Sequence, residues 1–115
     1  MSLFPPDDFA NDWYGYATNQ AGHALIIGSP SAMILAPWLG YVATPVIVAL
    51  VYGIVWEWIV QGGRLWRDSV EDTAHVMTGA SLICGALAYG YWVVVVCLVA
   101  WLCLLAFGVY RRVWR

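Results

Sequence analysis

The sequence predicts an all-α, polytopic membrane protein of four transmembrane helices, folded as a single domain over residues 1–115. Three observations predict it. Hydrophobic residues make up 63% of the chain and charged residues only 10%, whereas a soluble domain carries roughly a quarter charged residues. Too few ions are present to cover a water-facing surface, so lipid must be the solvent for most of the chain. The apolar residues fall into long runs separated by short segments rich in Gly, Pro and Arg, the pattern of spanning helices. Eight Trp and seven Tyr supply the amphipathic rings that collect where acyl chains meet headgroups.

Helix 1 is expected over about residues 7–28. Pro5 and Pro6 followed by Asp7 and Asp8 make a helix start, because proline suits the first turn and carboxylates favour the positive end of the helix dipole. Its first half, to Gln20, is too polar to face acyl chains, and other protein must cover it. This is the weakest span, and the alternative is three spans plus an interfacial N-terminal helix. Gly28-Ser-Pro-Ser31 reads as a turn or sharp kink. Helix 2 is expected over about 37–61 with a kink at Pro45. Gln61-Gly-Gly-Arg-Leu-Trp-Arg67 reads as a loop. Helix 3 then runs over about 68–88, with Asp68 as cap and Glu71 completing a D-x-x-E capping box. Tyr89-Gly90-Tyr91 is the next turn. Helix 4, about 92–110, holds no charged residue.

Positive charge sets the expected topology. With four crossings and a cytoplasmic N-terminus, the Arg64/Arg67 loop and the Arg111/Arg112/Arg115 tail share the cytoplasmic face, so all five Arg lie inside. The expected location is a bacterial inner membrane with both termini cytoplasmic. The absence of Lys, together with abundant Ala, Gly, Val and Trp, points to GC-rich coding in a bacterium or its phage. Met1 to Gln20 lacks a basic n-region, so a cleaved signal peptide is not expected. A net charge of −2 offers no basic footprint for nucleic acid. The expected partners are the lipid bilayer and either further copies of the chain or a larger membrane complex. Cys84, Cys97 and Cys103 form no CxxC pattern and read as small buried hydrophobes.

Ionisable groups inside spanning helices are costly and usually face the bundle interior or a watery cavity. Helical spacing puts Asp12, Asn19 and His23 on one stripe of helix 1, and Asp68, Asp72, His75 and Gly79 on one stripe of helix 3. Glu57 and Gln61 are one turn apart, and Arg64 follows at the next turn. A binding cluster of Asn19, His23, Glu57, Gln61, Arg64, Asp68, Asp72 and His75 is therefore expected in the cytoplasmic half. Ala80, Cys84 and Ala88, with Ser81 and Gly85, allow close helix approach, which makes helix 3 central and helix 4 peripheral. The bland alternative is that the polar groups cap helices and pair with Arg64 or Arg67.

Sharper chemistries have the residue types but little else. Two histidines on separate helices suit haem b, and His75, Asp72, Glu71 and His23 suit a metal, yet neither has a supporting motif. Glu57, Asp72 and His75 suit a proton or ion path, but one small bundle leaves little room for a pore. No nucleophile triad, phosphate loop or zinc pattern occurs, so no catalytic residue, cofactor or metal is expected and the chain does not read as an enzyme.

Gln20-Ala-Gly-His23-Ala-Leu-Ile-Ile-Gly28 and Asp72-Thr-Ala-His75-Val-Met-Thr-Gly79 are also alike, a faint repeat of two halves with the same orientation. The run from Glu57 to Gly79 resembles the VanZ-like membrane proteins, with Glu57 and Gln61 one turn apart, Arg64 after a short loop, and Asp72 and Gly79 opening the next helix. His75 stands where that family usually has Asn, and His23 is similar to a histidine that the family often carries early in its first helix. The resemblance covers about 60 of 115 residues and implies a four- or five-helix envelope protein linked to glycopeptide tolerance. Two other functions fit the same composition: a phage holin or other oligomeric pore former, and an accessory subunit of a larger membrane complex.

Overall fold

The structure, a computed structural model, describes residues 11–60 and 66–114, with the side chains of 66–68 outside the description. Four helices hold nearly all of these residues: α1, Trp13–Leu39; α2, Ala43–Val60; α3, Trp66–Ala88; and α4, Tyr91–Val113. No strand occurs among the described residues. Helices α1, α2 and α4 are each long and apolar enough to cross a membrane. Helix α3 does not qualify, because Arg67, Asp68, Glu71 and Asp72 crowd its first half. The helix that falls short by length and composition is therefore α3, not the N-terminal helix that the sequence made doubtful.

At residues 28–31, the expected place of a turn or sharp kink, α1 continues as helix. Its middle, His23–Gly28, is π-helical, and Ser29–Leu39 resumes the α-helix. Pro30 accounts for this. It has no N–H to give the Ile26 carbonyl, and its ring would press on that oxygen, so a wider coil just upstream relieves the clash. The chain reverses instead at Gly40, whose φ of 84° suits a residue without Cβ. Helix α2 accordingly begins at Ala43 instead of residue 37, with Pro45 in its first turn, where a missing N–H costs nothing, rather than at a kink.

Residue 7, the expected start of the first helix, lies outside the described residues; within them α1 starts at Trp13, capped by Asp12, whose Oδ1 accepts from the Gly15 amide at 2.9 Å. Asp12 is thus an exposed cap and not a member of the interior stripe. Helix α3 is already formed at Trp66, so Asp68 lies within its first turn instead of capping it. Gly90, at φ 91°, makes the predicted reversal into α4. That helix continues through Arg111 and Arg112 to Val113.

Helix α3 packs against all three others. Its contact with α1 is backbone to backbone: a Cβ added at Gly79 would fall on the Ala24 carbonyl, and one at Gly28 on the Val76 carbonyl. Ser29 Oγ donates to the Gly79 carbonyl at 2.8 Å across the same seam. Small residues let the helices approach this closely. Ala32, Ala36, Val48, Tyr52, Val76, Ala80 and Cys84 form the core beyond it. Of the remaining small hydrophobes, Ala88 and Cys103 are exposed, and Cys97 is half-buried.

The outer surface is apolar, with exposed Ile26, Ile34, Leu50, Ile54, Val96 and Leu102 around the middle. Exposed aromatic rings gather at the two ends: Trp38, Tyr41, Tyr89, Tyr91 and Trp92 by the tight turns, and Trp13, Tyr14, Trp58, Tyr110 and Trp114 at the other end. At about 1.5 Å per residue, the 23 residues of α4 reach about 34 Å, enough for a hydrocarbon layer of roughly 30 Å.

Candidate functional site

Apart from Thr44, the buried polar side chains (Asn19, Gln20, His23, Glu57, His75 and Arg112) lie at one end of the bundle, where α1 and α3 start and α2 and α4 finish. Helix α3 divides them into two centres. Asp72 looks toward α1 and α2, while Glu71 and His75 look toward α1 and α4.

The first centre joins His23, Asp72 and Glu57. His23 Nδ1 donates to the Asn19 carbonyl at 2.8 Å, which leaves the lone pair of a neutral ring on Nε2. That nitrogen lies 3.7 Å from Asp72 Oδ2. Asp72 Oδ1 accepts from Gln20 Nε2 at 2.6 Å. Glu57, almost fully buried, accepts from the Tyr52 hydroxyl at 2.5 Å through Oε1 and from Ser69 Oγ at 3.0 Å through Oε2. The Tyr52 ring also meets the His23 ring edge-on, with centroids 5.7 Å apart. One donor atom from each of His23, Glu57 and Asp72 fits within 4.8 Å of the other two.

The Tyr52–Glu57 pair depends on local backbone. Residues five apart point about 140° away from each other on an α-helix. Tyr52–Val60, however, is π-helical, and i to i+5 neighbours then share a face.

The second centre is a strut. Trp101 Nε1 donates to His75 Nδ1 at 3.0 Å. An indole N–H can only donate, so a neutral His75 carries its hydrogen on Nε2, which meets the Tyr16 hydroxyl at 3.3 Å. The Arg112 guanidinium stacks 3.6 Å above the Tyr16 ring and donates to the Gly108 carbonyl at 3.0 Å. Glu71 Oε1 accepts from Arg111 at 2.7 Å, and Glu71 Oε2 stands 3.6 Å from Arg112. Gly108 is required here, because a Cβ would collide with the Tyr16 hydroxyl.

Of the residues predicted for the site, His23, Glu57 and Asp72 converge. Asn19 contributes its backbone carbonyl, while its buried side-chain Oδ1 has no partner in the structure. His75 belongs to the second centre, with both ring nitrogens engaged, so it is not placed to pair with His23 on a haem or to join Asp72 on a metal. Gln61 and Arg64 lie outside the described residues, as does the side chain of Asp68. Glu71 serves Arg111 and Arg112 rather than a capping box. Helix α4 is not merely peripheral, since Trp101 and Arg112 are both buried. Sequence reasoning missed Tyr16, Gln20, Tyr52, Ser69 and Trp101. Gln20 alone left a clear trace, as an amide three residues before His23 on the same face.

Beside the first centre, α2 and α3 leave an open groove of about 460 Å³, lined by Gly53, Glu57, Trp58, Ser69, Thr73 and Met77, among others. Most of its wall is apolar, and its polar end is the Glu57 carboxylate with Ser69 and Thr73. No protein-family model matches the chain, and neither the curated proteins nor the solved structures compared with it include a match.

Proposed function

We propose that the chain is a small inner-membrane protein of a bacterium or its phage, with four crossings and cytoplasmic termini. On this reading it is a VanZ-like envelope factor that holds a membrane lipid without catalysing its conversion. The observation that carries the proposal is the groove between α2 and α3, apolar along its wall and ending on a buried carboxylate. Apolar walls with a few placed polar groups are the usual make-up of a ligand site. A carboxylate at the polar end selects a headgroup that donates hydrogen bonds, an amine or a hydroxyl, over a bare phosphate. Aromatic rings at both ends and an apolar band between them support residence in the bilayer. The fourth crossing would be α3, whose Glu71 and Asp72 are turned onto partners from α4 and α1.

The test is native mass spectrometry of the tag-free protein extracted in detergent. The expected result is one lipid class enriched over its share of the membrane extract, and lost when Met77→Trp fills the groove. Bound lipids that mirror the bulk membrane, or that survive Met77→Trp, would overturn the reading. A C-terminal reporter active only in the cytoplasm is expected as well, and a periplasmic signal would overturn the topology. Collapse of the membrane potential at a defined time after induction would favour the holin, and a fixed larger partner in every preparation would favour the accessory subunit.

A further inference from the structure

We infer that His23, Asp72 and Glu57 form a binding site for a single first-row transition-metal dication, Zn²⁺ being the simplest case. The inference does not depend on lipid binding. Three helices each supply one ligand: α1 gives His23, α3 gives Asp72 and α2 gives Glu57. Their donor atoms already lie within 4.8 Å of one another, and His23 Nε2 is 3.7 Å from Asp72 Oδ2. Ligands in a tetrahedron around Zn²⁺, at bond lengths of about 2.0–2.2 Å, are roughly 3.4 Å apart. Small torsions of the two carboxylate side chains close the difference.

Orientation of the ligands is the stronger sign. Metal-bound histidines usually donate their other ring N–H to a carbonyl or carboxylate, and bound carboxylates are themselves hydrogen-bonded. All three are so arranged here: His23 Nδ1 on the Asn19 carbonyl, Asp72 held by Gln20, and Glu57 held by Tyr52 and Ser69. Gln20 adds an independent mark. It is 2% exposed, its amide nitrogen grips Asp72, and its amide oxygen has no partner in the structure. A buried amide oxygen without a partner is costly, and a metal or a metal-bound water beside Asp72 would satisfy it. An imidazole with two carboxylates suits Zn²⁺ or a neighbouring transition metal better than Mg²⁺ or Ca²⁺, which take oxygen ligands. Two carboxylates and a neutral imidazole also balance a dication's charge, which matters in a buried site.

Full-length, tag-free protein in detergent, stripped with a chelator and carrying Cys97→Ala and Cys103→Ala to remove the accessible thiols, is titrated with Zn²⁺ by calorimetry. Metal content after dialysis is read by elemental mass spectrometry. One Zn²⁺ per chain is expected, with affinity at least 100-fold weaker in His23→Gln and in Asp72→Asn. Tyr52→Phe should lose about tenfold, the usual scale for an outer-shell partner. No stoichiometric uptake, or uptake unchanged in both ligand variants, would overturn the site. Should a ligand variant fail to fold, Co²⁺ added to the parent protein decides the matter. Visible d–d bands that Zn²⁺ abolishes support the site, whereas their absence, or a thiolate charge-transfer band, overturns it.

Discussion

His23 and His75 are both buried, sit in similar stretches of sequence, and lie on parallel helices that touch backbone to backbone, yet the bundle uses them in opposite ways. His75 has a partner on each ring nitrogen, the Trp101 indole on one and the Tyr16 hydroxyl on the other, and so ties α3 to α4 and α1. His23 spends one nitrogen on a carbonyl of its own helix and turns the other toward a carboxylate. The faint repeat in the sequence thus marks two equivalent places in the fold but not two equivalent functions. Having both nitrogens engaged makes a histidine structural, and leaving one turned toward other ligands makes it available for chemistry. The surroundings follow the same division: arginines cluster around the His75 centre, whereas two carboxylates converge on His23.

The widest gap between the centres should be seen by removing the charge at the His75 end. Glu71→Leu takes a carboxylate from beside Arg111 and from beside Arg112, the latter buried and stacked on Tyr16, and should cost about 3 kcal/mol, as for a broken buried pair. Unfolding by denaturing detergent in mixed micelles, followed by tryptophan fluorescence, measures it. A loss under about 1 kcal/mol would mean that this cluster is solvated like a surface ion pair. His75→Leu comes next. It strands the Trp101 N–H and takes the Nε2–H away from the Tyr16 oxygen, and should cost about 2 kcal/mol by the same assay. Trp101→Phe keeps the ring and removes only the indole donor, so about 1 kcal/mol is expected. If Trp101→Phe proves as damaging as His75→Leu, the strut depends on one bond rather than on both nitrogens.

The sequence showed the helical class, because scarcity of charge is a bulk property that no local detail reverses. It also showed the α3–α4 reversal at Gly90 and, through Ala80 and Cys84, the small-residue face of α3, though it put Gly79, where the closest approach falls, on the polar stripe. It misplaced the α1–α2 turn because Gly-Ser-Pro-Ser carries every usual breaker. A helix can absorb such a proline by widening for one turn, a tertiary choice that the local pattern does not encode. The same limitation hid half of the site. Asp72, His23 and Glu57 stood out as ionisable residues in apolar runs, which is a strong signal. Tyr52 did not, since its bond to Glu57 exists only on a π-helical backbone. Trp101 and Tyr16 looked like ordinary interfacial aromatics, and only packing showed that both point at His75. Asp12 was the reverse case, an ionisable residue that fell on the interior stripe by spacing and caps the helix end instead.

The smallest stability effect belongs to the other histidine and sharpens the contrast most. His23→Leu removes one hydrogen bond, to an Asn19 carbonyl that still accepts the backbone N–H of residue 23. No buried donor is stranded on a neighbouring helix. The loss in metal-free protein should therefore stay at or below about 1 kcal/mol, roughly half that of His75→Leu, even though the two imidazoles are about equally buried. Measured in the presence of saturating Zn²⁺, the difference between parent and His23→Leu should widen, because a metal bound only to the folded state stabilises it by mass action and the variant forgoes that gain. His75→Leu should show the same deficit with and without metal. If the two variants respond alike to Zn²⁺, or if His23→Leu is the more damaging in its absence, the division of the bundle into a strut and a site fails.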